Sequence, residues 1–118
     1  MNDMLEIDME FRKGILFVRF IGELTKNTVD IVKKEVMDTL EEYGIGNVVF
    51  NISELKKIDH SGIEIMKENS KLISEQKGRA LLCGVHNLSM KRKLKQQQVF
   101  RYMDETSDEL TALSIIHI

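Results

Sequence analysis

At 118 residues, 42% of them hydrophobic and 31% charged, with a formal net charge of −2, the chain is long enough to bury one core. Its charge balance excludes a globally basic binder of nucleic acid or of an anionic membrane. One cysteine allows no internal disulfide, the absence of proline removes proline-rich docking tracts, and no apolar run approaches the ~20 residues of a membrane span. One domain over residues 1–118, in a reducing cytoplasm, is the expectation. The acidic start MNDMLEIDME lacks the basic-then-apolar order of a signal peptide.

Residues 5–12, LEIDMEFR, alternate apolar and polar, with Leu5, Ile7, Met9 and Phe11 on one face of a half-buried strand. Lys13-Gly14 supplies a turn, and ILFVRFIG continues as a more uniformly apolar strand, so the pair reads as a hairpin. The period then changes. Val29, Val32, Val36, Leu40 and Tyr43 fall at helical spacing, with Thr25 or Asn27 as cap and Gly44 as stop. NVVFNI (47–52) is a short buried strand. The polar stretch SELKKIDH leads into a second helix with Ile63, Met66, Ser70 and Ile73 inward and Gly78 at its close. RALLCG (79–84) is a further buried strand, and Asn87 or Ser89 caps a helix running through Lys95. VFRYM (99–103) reads as the last strand, and Thr106 with Glu109 as a capping box for the final helix. The order β-β-α-β-α-β-α-β-α predicts an α/β fold: a mixed, mostly parallel sheet of four to five strands carrying about four helices. In such sheets the functional loops lie beyond the carboxyl ends of the strands, which is where the segment after residue 52 falls.

Chemistry-bearing motifs are few. Asp59, His60 and Ser61 are the residue types of a hydrolase triad, but neighbours in sequence cannot face one another as base and nucleophile must, and the G-x-S-x-G elbow is absent. His60, His86, His117 and Cys83 lack metal-ligand spacing, and no phosphate-binding glycine loop is present. No enzymatic activity, cofactor, metal or small-molecule ligand is therefore expected. The run MKRKLKQQQ (90–98), with Lys91, Arg92, Lys93 and Lys95, is a solvated helix face or a docking patch for an acidic partner. Ser61-Gly62-Ile63-Glu64 fits the S-x-x-E capping box, in which the serine hydroxyl accepts from the Glu64 amide.

The phrases GELT (22–25), NISELKKIDHSG (51–62) and ALLCGVHN (80–87), in this order of elements, resemble the STAS domain, more narrowly the bacterial anti-sigma-factor antagonists of the sporulation and stress type. The resemblance runs from about residue 5 to residue 115, and its most specific part is Asp-x-Ser-Gly at 59–62. It implies that Ser61 is a phosphorylation site. The phosphate would come from an anti-sigma factor that is itself a protein kinase. Unphosphorylated antagonist would sequester that kinase and free its sigma factor; phosphorylated antagonist would not. The implied partner surface comprises Thr25, Asp59, His60, Ser61, Gly62 and Glu64. Gly62 could leave the serine backbone open to the kinase or could simply be tolerated in the first helical turn. The alternative is a STAS scaffold or sensor module in which Ser61 only caps its helix. The sequence departs from the family's usual pattern: Thr25 stands where Asp is common, His60 where a second Ser is common, Ile63-Glu64 where Leu and small residues follow, and KQQQVF lacks a glycine.

Overall fold

In a computed structural model, which describes residues 4–117, the chain forms one five-stranded sheet in the order β1-β2-β3-β4-β5. The strands are β1 Leu5–Arg12, β2 Ile15–Leu24, β3 Asn47–Ile58, β4 Arg79–Cys83 and β5 Asp104–Thr106. β1 and β2 pair antiparallel through the tight turn at Lys13 (φ 54°) and Gly14 (φ 81°), the two left-handed residues such a hairpin needs. All other pairings are parallel, and β3 lies beside β4 as expected, Val49 opposite Leu81.

One face of the sheet carries four helices. α1 (Val29–Val32) runs through a π-helical turn, Lys33–Met37, into α2 (Asp38–Tyr43), which Gly44 stops in a left-handed conformation. α3 is His60–Glu75 and α4 is Leu88–Gln96. Their inward residues, among them Val36, Leu40, Ile63, Met66, Ile73 and Leu94, close over Val18, Phe20, Val48 and Phe50 in the main core. α3 ends where Lys77 (φ 60°) reverses the chain, so that the Gly78 and Lys77 amides donate back to the carbonyls of Ile73 and Ser74. The opposite face is covered by α5 (Glu109–Ile116), which seals Ile15, Phe17, Val49, Leu81 and Cys83.

Several local expectations are corrected. β3 does not end at Ile52. It runs six residues further along β2, to the Leu24–Ile58 pair, while β4 stops at the Asn51–Cys83 pair. Two register shifts, between Arg19/Ile21 and Gly22/Glu23, insert extra residues into β3, so Ile52, Leu55 and Ile58 all turn inward at a spacing of three. That period is neither a strand's nor a helix's, which made the segment look like a loop. VFRYM is not a strand. Gln98 takes a left-handed conformation (φ 65°), Val99–Arg101 is a 3-10 turn that buries Val99, and the last strand is Asp104–Thr106. Asp108, not Thr106, caps α5, accepting from the Thr111 amide, because Glu109 is drawn away to Arg19. The first helix has Thr28 at its N-cap position with no side-chain cap bond; the Thr28 hydroxyl instead donates to Glu23 O. Phe11 and Tyr43 are exposed rather than inward. Asn87 does cap α4, accepting from the Met90 amide.

Candidate functional site

The carboxyl ends of β2 and β3 lie side by side, and the chain leaves both at the same edge. After Leu24 it enters a tight loop, Thr25–Thr28; after Ile58 it enters α3. Asp59 joins the two. Its backbone is extended, its amide donates to Leu24 O (3.2 Å), and one carboxylate oxygen accepts from the Gly62 amide (2.9 Å). The other accepts from the Lys26 amide (3.0 Å). Partial burial pushes the Asp59 carboxyl up, but the amides of Gly62, Lys26 and Ser61 and the charge of Lys57 outweigh it and hold the pKa below the usual carboxylate range.

Asp59 is therefore the N-cap, which overturns the Ser61–Glu64 capping box. Ser61 lies inside the first turn of α3, half-buried, and among the described residues its hydroxyl makes no hydrogen bond. Glu64 does not reach back to Ser61. It pairs with Lys67 (2.8 Å), which together with Lys71 keeps its carboxyl below the ordinary range despite some burial. Asp ranks with Ser as a capping residue, and an extended Asp59 one position before the helix supplies the oxygen first.

Gly62 is buried, and its role is packing. A Cβ there would run into the Leu24 carbonyl and press on the Ile58 side chain at 3.0 Å. Only glycine lets the start of α3 approach the end of β2 this closely. Thr25 is 2% exposed. Its carbonyl accepts from the Thr28 and Val29 amides and its hydroxyl from the Asn27 amide, so it shapes the loop beneath the site rather than offering a contact face. His60 is exposed, and its Nδ1 lies 2.7 Å from Gln97 Oε1. The Gln97 carbonyl accepts from Lys67 Nζ (2.9 Å), and Lys93 Nζ donates to Ile58 O (2.9 Å). Gln97 and Lys93 thus tie the end of α4 to the Ser61 edge, a connection that nothing in the local sequence around either residue announces.

The edge thus presents a half-exposed serine hydroxyl, unengaged among the described residues, on a 16-residue helix, framed by one capping carboxylate and several lysines. Among the described residues His60 forms no hydrogen bond with Ser61; its ring is turned to Gln97. Among the described residues no group of three or more His, Cys, Asp and Glu side chains converges on a common point for a metal ion, and no helix is long and apolar enough to cross a membrane. Cys83 is fully buried, and burial, with Glu109 and Asp108 nearby, pushes its thiol up to about 12.

A profile of the STAS domain matches residues 6–112. The chain belongs to the STAS family. An anti-sigma F factor antagonist of Paenibacillus polymyxa is 29% identical over 114 residues, covering 97% of each chain. An anti-sigma factor antagonist from Mycobacterium paratuberculosis superimposes with a TM-score of 0.87 at 13% identity, over 100% of this chain and 98% of the other. The Bacillus cell fate determinant SpoIIAA in its phosphorylated form gives 0.72 at 15% identity, over 96% and 99%. Within this STAS fold, five of the six residues expected at the partner surface, Asp59 to Gly62 and Glu64, share one helix start, and Thr25 lies beneath the loop that Asp59 grips.

Proposed function

We propose that this STAS domain is an anti-sigma-factor antagonist. It binds an anti-sigma factor with serine kinase activity while Ser61 is unmodified and releases it once Ser61 is phosphorylated. Its role is regulatory binding rather than catalysis, and its compartment is the cytoplasm. The kinship with the Paenibacillus antagonist supports the class of partner. The single observation that carries the switch is the Ser61 hydroxyl, half-exposed and engaged by no other described residue.

The physical logic runs through the helix start. A phosphate adds about −1.5 to −2 charges at pH 7. The α3 N-terminus favours that charge by about 0.3–1 kcal/mol at an exposed site, whereas Asp59 opposes it. Because the two effects oppose each other, little net change in folding stability is expected. The consequence falls on a partner packed against the edge, which meets bulk and charge in place of a neutral hydroxyl.

The test is to incubate the pure protein with the purified anti-sigma F factor of the Paenibacillus system and ATP, and then to map phosphate by mass spectrometry and titrate binding. Phosphate on Ser61, with binding lost on modification and retained in Ser61→Ala, is expected. Phosphate on another residue, or binding indifferent to phosphate and to Ser61→Asp, rejects the switch and leaves a STAS scaffold or sensor module.

A further inference from the structure

Residues 88–103 carry five cations and no carboxylate, in a chain whose net charge is −2. The fold concentrates part of this charge further. The bulged end of β3 overhangs β4 and faces α4, leaving a groove of about 470 Å³ lined by Lys56, Lys57, Asn87, Ser89, Met90 and Lys93. Lys91 is matched by Glu105 at 3.2 Å. Among the described residues Lys56, Lys57 and Lys93 form no ion pair; Lys93 Nζ reaches only the neutral carbonyl of Ile58. Ile58 directly precedes Asp59, and His60 meets Gln97 at the end of α4, so the groove is continuous with the Ser61 edge.

We propose that this groove docks an acidic segment of the partner protein, alongside its contact with Ser61. Lysines without an ion-pair partner among the described residues, beside a concave, partly apolar floor, suit a carboxylate-bearing segment with an apolar anchor against Met90. A duplex nucleic acid would need a broader basic face than a domain of net negative charge offers. The inference rests on the reading of the protein as an anti-sigma-factor antagonist and explains its sign. A phosphate on Ser61 puts negative charge at the end of the groove, where it repels the acidic segment and competes for Lys57.

Two measurements test it. In the first, Lys56→Glu/Lys57→Glu is compared with Lys33→Glu/Lys34→Glu, which makes the same charge change outside the groove, in association with the anti-sigma F factor. The groove variant should associate at least about tenfold more slowly at low salt, with a flatter salt dependence, because steering contributes about 10- to 1000-fold to such rates. Equal effects of the two variants overturn the proposal. In the second, a 15-residue Asp/Glu-rich peptide carrying one leucine is titrated into the 15N-labelled wild type, with ATP and a 12-base-pair DNA duplex as parallel probes. Amide shifts confined to 56–58 and 87–93 with the peptide are expected. Shifts there with ATP or DNA but not with the peptide, or peptide shifts scattered over the surface, overturn it. An anti-sigma factor that fails to bind the wild type refutes the proposed function, while the peptide titration still decides the groove.

Discussion

Two substitutions two residues apart separate the structural work of the α3 start from the switching role proposed for Ser61. Asp59→Ala removes two hydrogen bonds, from the Gly62 amide at 2.9 Å and the Lys26 amide at 3.0 Å. Loss of an N-cap costs about 0.5–2 kcal/mol. Loss of the second, more exposed bond adds about 0.5–1 kcal/mol, the range of an ordinary hydrogen bond, because solvent screens the charge of its acceptor. The sum is about 1–3 kcal/mol. Ser61→Ala removes a hydroxyl that engages no other described residue and inserts a better helix former, so it should stay within about 0.5 kcal/mol of wild type. The pH dependence carries a sign. The folded Asp59 pKa lies below its ordinary value, so its contribution is fully present above the unfolded pKa of about 3.9 and is lost as pH falls through the folded value. Urea melts followed by circular dichroism at pH 7 and near pH 2.5 should therefore show a gap between wild type and Asp59→Ala that narrows in acid. A Ser61→Ala loss equal to or larger than that of Asp59→Ala would refute the cap assignment, and a gap that widens in acid would refute its electrostatics.

Gly62→Ala gains up to about 1 kcal/mol of helix propensity but drives a Cβ into the Leu24 carbonyl, which is backbone and cannot swing aside; a net loss of about 1–2 kcal/mol in a thermal or urea melt is expected, with the helix start displaced. Gln98→Gly relieves a left-handed backbone and should be neutral or stabilising by up to about 1 kcal/mol, whereas Gln98→Val should cost at least as much, read as shifts in urea midpoint. Glu109→Gln breaks a two-pronged bond to Arg19 (2.7 Å on each prong) that also satisfies Asn51; it should cost about 1–2 kcal/mol at pH 7. The Arg19 bond is the main reason the Glu109 pKa lies low, so that cost should fade as pH drops through the carboxylate range. The assay is thermal melting across pH, and a pH-independent loss would show that packing dominates.

How much of this was legible in the sequence depended on whether a local signal agreed with the tertiary context. The 3.6-residue spacing of Ile63, Met66, Ser70 and Ile73 survives intact, because α3 packs one face on the sheet. The Lys13-Gly14 turn survives because its chemistry is self-contained. The far end of β3 did not, since two bulges disguise its period, and bulges depend on the partner strand. VFRYM failed for a related reason: a β-rich composition was overruled by the reversal at Gln98 that turns Val99 into the core. At the start of α3, the helix boundary was legible and the capping residue was not. Asp59, His60 and Ser61 are adjacent, and which of them caps is decided by where β3 ends, a fact held by Leu24 thirty-five residues upstream.

The assignment of the cap to Asp59 bears on how the proposed phosphoswitch would work. Had Ser61 been the cap, phosphorylation would have rearranged the bonds that hold the helix start, and stability and binding would have changed together. In this chain the cap belongs to Asp59, whose two oxygens are already engaged by Gly62 and Lys26. The close approach belongs to Gly62, and the loop beneath belongs to Thr25 and Thr28. What remains at Ser61 is a half-exposed hydroxyl on a rigid turn, free of structural duty among the described residues. A charge added there would leave the Asp59 cap bonds in place and would sit near Lys57, which forms no ion pair among the described residues. Ionic screening confines the change in surface potential to within about 10 Å of that spot, so under the proposed switch it would act on whatever docks at that edge while the core beneath is left alone.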